Sequence, residues 1–199
     1  MRRADPGRQG GPARRAAAGP QKQPPPRPPA TITVQYATAR AGTPHPQRIR
    51  AWAETVLAAE RRPGGVCIRL VGAVEGTRLN RRYRGRAAAT NVLAFPGPPA
   101  AAGGCWLGDV VVCAPVARRE AREQGKAPDD HFAHLVVHGV LHLLGYDHID
   151  PADAERMERR ERKLLAACAI PDPYRAVRRE APPGGVRLQS KSASGTRSR

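Results

Sequence analysis

The stretch HLVVHGVLHLLGYDHID (residues 134–150) holds four of the six histidines in a chain of 199 residues. Within it, His138, His142 and His148 are separated by intervals of four and six. At roughly 100° per residue, the first two would lie about 40° apart on one helix face, close enough to reach one ion. Gly145 permits a left-handed turn that ends the helix and returns His148 as a third nitrogen ligand.

Three neutral imidazoles leave a fourth tetrahedral position for water, which is the pattern of a catalytic zinc site. Imidazole ligands favour one Zn²⁺, although nickel or another divalent ion also fits the residues. A single histidine on an apolar helix face is usually a hydrogen-bonded core residue, but three at this spacing predict a metal. His134 with His138 is a competing ligand pair. We expect His131 and His134 to lie beside the site or at the surface, and His45 to lie in a loop with no partner.

Outside this stretch, the hydrophobic patterns predict elements in the order β-α-β-α-β-β-α-α-α. This order indicates an α+β domain, a small mixed β-sheet with packed helices and the zinc site on a central helix. Asp129 or Asp130 is the expected N-cap of the histidine helix, which should stop at Gly145. Strands are predicted at 31–37, 65–72, 91–95 and 107–114, and helices at 49–57, 79–83, 115–124, about 130–144 and 151–168.

Charge and composition divide the chain into three parts. Residues 1–30 are rich in proline and arginine and cannot bury enough apolar surface, so a disordered basic arm is predicted; 176–199 read as a similar tail. Of the net charge of +17, the arm carries +6 and the tail +5, which leaves +6 on the domain at 31–175. Basic arms attract polyanions, so RNA or a ribosomal surface is the expected partner. The alternative is that unconstrained termini simply reflect a GC-rich genome.

The cysteines and the apolar runs bear on the cellular compartment of the protein. The four cysteines (Cys67, Cys105, Cys113, Cys168) are scattered, which predicts free thiols in a reducing compartment rather than disulfides or a cysteine-based zinc site. No apolar run is long enough to span a bilayer, and no membrane partner is expected. The Arg-rich leader would also suit a transit peptide, but it is poor in serine, so a cytoplasmic location is predicted.

The spacing H-x-x-x-H-x-x-G-x-x-H is that of the metzincin peptidases. In those enzymes the first histidine is followed by a glutamate, the general base that deprotonates the zinc-bound water. Gly139 stands in that place here, which argues against protein cleavage. Asp147 is then a substitute base, a residue that orients a ligand, or a plain turn residue.

The motif HGVLHLLGYDH (138–148) resembles the signature of the YbeY family, metal-dependent endoribonucleases of rRNA maturation. Further segments are similar to that family in the same order: LNRRYRG (79–85), TNVLAFP (90–96), LGDVVV (107–112) and, loosely, the last predicted helix with Glu155, Met157, Glu158 and Glu161. Two positions depart from the family pattern, because Asn91 stands where Asp is usual and Ala94 where Ser is usual.

The resemblance implies a single-strand-specific endoribonuclease for small-subunit rRNA 3′-end processing and ribosome quality control. It also implies that Arg84 and His138 are catalytic, and that Asn91, Asp109 and Asp147 are candidates for orienting a ligand or substrate. Zinc would lower the pKa of bound water and polarise a phosphoryl oxygen, and a guanidinium would stabilise the developing charge. The nucleophile is left open between water and the RNA 2′-hydroxyl.

Arginines Arg78, Arg81, Arg82, Arg84 and Arg86 form either a solvated helix face or a phosphate track beside the zinc. Partners would be rRNA, the small ribosomal subunit and possible ribosomal or assembly proteins, while the oligomeric state stays open. The rival functions are a metzincin-like peptidase and a non-catalytic ribosome-binding factor with structural zinc. A fourth protein ligand would favour the latter.

Overall fold

The computed structural model describes residues 30–98 and 106–175. The predicted order of elements and the α+β class with a small mixed sheet are confirmed. The predicted basic arms (except Ala30), Cys105 and most of the connection between the last two strands lie outside the described residues, so the boundaries at 31 and 175 stay predictions. The elements are β1 (Thr31–Ala37), α1 (Pro46–Ala59), β2 (Gly65–Val71), α2 (Ala73–Arg84), β3 (Val92–Pro96), β4 (Trp106–Cys113), α3 (Ala114–Glu123), α4 (Pro128–Leu143) and α5 (Pro151–Ala167).

The four strands form one sheet in the order β1-β2-β4-β3. Strands β1, β2 and β4 are parallel, and β3 runs antiparallel beside β4. The inner strand β2 is buried on both faces, so its sequence reads as a continuous apolar run, interrupted only by Arg69. On β1, burial alternates from residue to residue, because only one face of that strand is covered by a helix.

Helices cover the two faces of the sheet unequally. The larger core lies between the sheet and α1, α4 and α5, whereas a smaller core on the opposite face packs against α2 and α3. Val110 of β4 points into the larger core and Val111 into the smaller one, as the alternation of a strand requires. Cys67 and Cys113 are buried free thiols, as predicted.

Helix α4 is packed against α1, α3, α5 and the strands β3 and β4. Its predicted N-cap was wrong, because the helix starts two to three residues earlier, with Ala127 as N-cap and Pro128 in the first turn. Proline fixes φ at a helical value and lacks the N–H that would be unpaired there. Asp129 and Asp130 instead lie in the first turn, where carboxylates complement the helix dipole.

Helix α2 is six residues longer at its N-terminal end than the pattern at 79–83 predicted. Gly76 lies inside it, and a Cβ there would come within 2.9 Å of Cys113 Sγ. Glycine therefore serves close packing here, although in a sequence it normally weakens a helix prediction. Gly85 ends the helix in the left-handed conformation, with φ of 68°. In the described parts of the chain, no helix combines the length and apolar character needed to cross a bilayer.

Candidate metal centre and adjoining cavity

His138, His142 and His148 meet at the C-terminal end of α4. Each offers a ring nitrogen, and the three nitrogens all lie within 4.8 Å of one another. Nε2 of His138 and Nε2 of His142 are 3.1 Å apart. Two nitrogens bound to one zinc at about 2.0–2.1 Å with tetrahedral angles would be about 3.3 Å apart. The spacing of these two side chains therefore already suits a shared ion.

Hydrogen bonds on the far side of each ring determine which nitrogen is free. His142 Nδ1 donates to the carbonyl oxygen of Tyr146 at 2.9 Å, and His138 Nδ1 donates to Glu161 Oε1 at 2.7 Å. A neutral imidazole carries a single N–H, so a ring that donates through Nδ1 presents the lone pair of its Nε2 to a metal. Burial, followed by the neighbouring His138 and His148, lowers the pKa of His142, which favours the neutral form that a metal needs. Two facing lone pairs at this distance repel unless a cation lies between them.

The turn after α4 brings His148 to the other two histidines. Gly145 has φ of 89°, and Tyr146 N donates to the carbonyl oxygen of Leu141, which closes the helix end. The Tyr146 hydroxyl donates to Glu60 Oε2 on the residue after α1, and Glu60 also accepts from Arg160 of α5. Two other helices thus hold the turn, and with it the carbonyl oxygen that orients His142.

Glu161 of α5 is completely buried and joins two histidines of α4. It accepts from His138 Nδ1 and, at 3.0 Å, from His134 Nε2, and the Tyr174 hydroxyl donates to the same carboxylate. Burial alone would raise the pKa of Glu161, but these hydrogen bonds outweigh it and lower the pKa to about 2. The carboxylate is therefore ionised and fixes the ring of His138.

A cavity of about 520 Å³ opens beside the three histidines. The elements that form its walls are the end of α2, the strand β3 and the end of α4 with its turn. Of the five arginines grouped by the sequence, only Arg84 lines it, while Arg78, Arg81 and Arg82 lie along a different groove. A cation next to three convergent nitrogens is an arrangement that can hold an anionic group against a metal. The residues that line the cavity are Arg84, Asn91, Val92, Ala94, His138, Gly139, His142, Asp147 and His148.

The cavity also contains the two positions that depart from the family pattern. Asn91 donates through Nδ2 to Glu120 Oε2 at 3.0 Å, and its Oδ1 accepts from the backbone N–H of Val92. An aspartate in its place would set a second carboxylate against Glu120, so the amide suits this neighbour. Ala94 forms part of the wall without offering a hydrogen-bonding group.

Asp147 and Asp109 are placed differently. Asp147 lines the cavity, and its Oδ1 accepts from the backbone N–H of His148 at 2.7 Å, which is the contact of a turn residue. Asp109 does not line the cavity; it lies on β4, paired in register with Cys67 and Phe95. Because neighbouring residues of a strand point to opposite faces, Asp109 faces away from α4, the helix that Val110 contacts. Asp109 therefore lies outside the cavity, and its role in orienting a ligand or substrate stays a prediction.

The remaining histidines divide between the site and the scaffold. His134 reaches the site indirectly through Glu161, as described above, and with His138 and Glu161 forms a second group of potential ligands within 4.8 Å. His131 is buried and hydrogen-bonded to Glu120 at 2.9 Å. The prediction for His45, a loop residue with no partner, was wrong. His45 is the N-cap of α1, and its side chain accepts a hydrogen bond from Gln47 N.

Gly139 occupies the place of the metzincin glutamate, and the packing explains why no side chain is there. A Cβ at this position would lie 2.5 Å from Cγ1 of Val110, well inside the closest normal approach. Helix α4 thus touches β4 through its backbone. A glutamate could not be accommodated unless the helix moved away from the sheet.

Sequence reasoning missed Glu161 and Glu120 as partners of the histidines. The family resemblance includes Glu161 only as part of a loose helical motif, and Glu120 belongs to none of the motifs. The available signal was the combination of an acidic residue with apolar neighbours at helical spacing, such as Glu161 between Met157 and Leu165. An acid on the apolar face of a helix needs a buried partner.

The sequence profile of the family described as Endoribonuclease YbeY matches residues 36–169. This range covers more than half of the chain and includes every residue that lines the cavity. The chain belongs to the Endoribonuclease YbeY family. Family members include proteins named Endoribonuclease YbeY from Halorhodospira halophila, 56% identical over 141 residues (68% of this chain, 91% of that protein), and from Stenotrophomonas maltophilia, 50% identical over 152 residues (74% and 94%). Another from Alkalilimnicola ehrlichii is 53% identical over 150 residues (72% and 90%).

A solution structure from Thermotoga maritima covers 73% of this chain and 99% of its own, at 22% identity and with a TM-score of 0.48. The family relationship rests on the sequence matches alone. The predicted resemblance of the histidine motif to this family is confirmed by them.

Proposed function

We propose that the chain is a single-strand-specific, metal-dependent endoribonuclease of rRNA maturation. Membership of the Endoribonuclease YbeY family supports nuclease activity on RNA. The observation that carries the chemistry is the convergence of His138, His142, His148 and Arg84 on one open cavity. Within this proposal, the reaction is the 3′-end processing of small-subunit rRNA, with a further role in ribosome quality control. The small subunit and assembly proteins are the proposed partners, and the cytoplasm is the proposed location.

The proposed cofactor is one Zn²⁺ held by the three histidines at the end of α4, with spacing like that of the metzincins. The two facing Nε2 atoms of His138 and His142, and the burial that lowers the pKa of His142, support this assignment. When bound in such a site, zinc polarises a phosphoryl oxygen and lowers the pKa of water. Only three protein groups converge there among the residues the structure describes, so one position is left for water or substrate.

Arg84 is proposed to bind the scissile phosphate from the opposite side of the cavity. Hydrolysis of a phosphodiester adds an oxygen nucleophile to phosphorus and increases the negative charge on the non-bridging oxygens. A guanidinium can donate two parallel hydrogen bonds to those oxygens and does not lose its charge. His138 is proposed as the second catalytic residue, because its Nε2 faces the cavity while Glu161 fixes its other nitrogen.

The source of the nucleophile distinguishes two versions of this reaction. In one, water attacks phosphorus, the 3′ or 5′ oxygen leaves and takes up a proton, and one product ends in a phosphate while the other ends in a hydroxyl. In the other, the RNA 2′-hydroxyl attacks, the 5′ oxygen of the next nucleotide leaves and takes up a proton, and a 2′,3′-cyclic phosphate forms first. A DNA substrate lacks this hydroxyl, so cleavage of single-stranded DNA at a similar rate would favour water.

The rival function with a specific structural expectation is zinc-dependent protein cleavage. It would need a glutamate at position 139, directly after His138. Gly139 stands there, and Val110 leaves no room for a side chain. Asp147 lines the cavity and has a carboxylate, but its Oδ1 already accepts a hydrogen bond from the backbone N–H of His148. These contacts favour the nuclease.

The test is cleavage of an end-labelled single-stranded RNA by the purified full-length chain, with and without chelator. His142→Ala removes a proposed ligand, and Arg84→Ala removes the proposed phosphate contact. We expect both substitutions to lower the rate by at least about 100-fold, as loss of one charge-stabilising donor typically does. Arg122→Ala, which removes an exposed arginine from the end of α3, serves as the matched control and should retain the full rate.

Four results would contradict the proposal in different ways. A zinc-loaded protein that leaves RNA intact but remains folded would favour a ribosome-binding factor with structural zinc. Cleavage of an unfolded protein but not of RNA would favour the peptidase. Hydrolysis by Arg84→Ala at the rate of the control would remove Arg84 from the mechanism, and equal cleavage of duplex RNA would refute strand specificity.

A further inference from the structure

Three arginines form a row on the exposed side of α2. Arg78, Arg81 and Arg82 line a groove of about 560 Å³ that is separate from the histidine cavity, and we call them the arginine row. Val74 and Thr77 complete the groove. Nothing in the proposed chemistry at the histidines uses these side chains.

The arginine row lacks the ion pairs that are common elsewhere on the surface. On α5, by comparison, Arg156, Arg159 and Arg162 each lie within 4.0 Å of a carboxylate. In the part of the chain that the structure describes, no carboxylate lies within that distance of Arg78, Arg81 or Arg82. The nearest aromatic contact is that of Arg82 with the ring of Tyr83, 5.6 Å from the centroid. Unpaired guanidinium groups in a groove suit an anionic partner.

The arginine row is continuous with Arg84. Residues 84, 81 and 78 are separated by three positions each, so their side chains follow one another along the helix surface with Cβ atoms about 5–6 Å apart. Arg84 lines the histidine cavity, whereas Arg81 and Arg78 line the groove. The helix thus carries a line of positive charge that begins beside the metal ligands and leads away from them.

Stabilisation of the helix does not explain the whole row. Arg81 and Arg82 lie in the last turn of α2, where positive charge favours the helix dipole. Arg78 lies before that turn, and the effect of the dipole falls off within it. Three like charges on neighbouring positions also repel one another, which costs stability unless an anion is bound.

We propose that the arginine row binds the backbone phosphates of the RNA strand that extends from the histidine cavity. This inference rests on the proposed endoribonuclease function and adds to it the path of the substrate. Binding is to the backbone and independent of base sequence, because guanidinium groups on an exposed helix contact phosphates as the strand passes. The row therefore adds affinity for RNA longer than the few nucleotides that the cavity itself holds.

The test compares two triple variants of the full-length chain that lose the same charge. One is Arg78→Gln/Arg81→Gln/Arg82→Gln, and the control is Arg62→Gln/Arg122→Gln/Arg159→Gln, which alters exposed arginines on other elements. Binding of a fluorescein-labelled 20-nucleotide single-stranded RNA is measured by anisotropy with chelator present, over a series of salt concentrations. Loss of three phosphate contacts should weaken binding by roughly 10- to 100-fold at about 0.1 M salt and reduce the slope of log Kd against log salt by about 2.

Cleavage assays separate this inference from the function on which it rests. Both variants should cleave a 4-nucleotide RNA at the wild-type rate, whereas the row variant should lose its advantage on the 20-nucleotide RNA. If the wild type cleaves RNA but both variants show the same affinity and salt slope, the row does not bind RNA and the nuclease function stands. That result would also be expected if the row served an acidic protein.

If the wild type cleaves no RNA, the proposed function fails and this inference fails with it. Unequal thermal midpoints of the two variants would point to a folding effect. In that case a third variant, Arg78→Lys/Arg81→Lys/Arg82→Lys, keeps the charge and decides the matter. A wild-type slope of log Kd against log salt in this variant supports RNA binding by the arginine row, and a reduced slope overturns it.

Discussion

At the scale of single residues, the most informative contact is that between Glu161 and His138. A metal-ligating histidine usually donates its other N–H to a carboxylate or carbonyl, which fixes the ring and raises its basicity. Here Glu161 provides that group for His138, and the Tyr146 carbonyl provides it for His142. Both rings are therefore oriented by groups of the protein itself.

Replacing Glu161 with glutamine should weaken zinc binding about 10- to 100-fold. Glutamine keeps the shape of the side chain but loses the charge, and it cannot accept from both His134 and His138 at once. The Kd of zinc for the protein is measured by competition with a chromophoric chelator. Glu158→Gln on the same helix, where the glutamate is paired with Arg162 at the surface, is the control and should not change it. An unchanged Kd in a folded Glu161→Gln protein would show that the carboxylate does not position the ligand.

At the scale of elements, the packing of α4 on β4 decides where the histidines lie. The helix backbone approaches Val110 so closely that only glycine fits at position 139. This approach sets the depth at which His138 and His142 meet the cavity. It is a contact between elements, and the residues 138–148 alone do not reveal it.

Gly139→Ala should reduce the free energy of unfolding by about 1–3 kcal/mol, because the new methyl group overlaps Val110. Combining it with Val110→Ala makes room, so the double variant should be more stable than the sum of the two single changes predicts. The coupling is expected to be about 0.5–3 kcal/mol, measured by urea unfolding. Pairing Gly139→Ala with Val116→Ala, in the smaller core, should be additive; equal coupling in both pairs would contradict the contact.

The sequence predicted the elements and the convergence of His138, His142 and His148 where the information is local. The three histidines lie within eleven residues of one helix and its turn, so periodicity and one glycine were sufficient. Predictions failed where the cause is tertiary: Gly76 fits against Cys113, so α2 starts earlier than its composition indicates. The role of Glu161 was not predicted for the same reason. Its partners His134 and His138 are 27 and 23 residues away in the sequence, and no spacing rule joins them.

At the scale of the whole molecule, the proposed metal links three helices that lie on the same face of the sheet. The ligands belong to α4 and its turn, while α5 and the residue after α1 hold the groups that orient them. An ion bound only by the folded chain therefore stabilises the packing of all these elements together.

Zinc should raise the thermal midpoint of the chain, and chelator should lower it. At a free zinc concentration of about 100 times Kd, binding to the folded state contributes about 2.7 kcal/mol. For a chain of this size the expected shift is roughly 5–10 °C, seen by circular dichroism. His142→Ala should show no such shift. Equal midpoints of the wild type with zinc and with chelator would mean that the three histidines do not bind the ion.

The ligands and the guanidinium come from different places in the chain. All three nitrogens are supplied by residues 138–148, whereas Arg84 is contributed by α2, on the other side of the strands β3 and β4 in sequence. Loss of the contact between α2 and the sheet would separate them without disturbing the histidines. Under the proposed function, metal content is then a poor measure of activity, because a chain that holds zinc at the three histidines would still be inactive if a displaced α2 kept Arg84 out of the cavity.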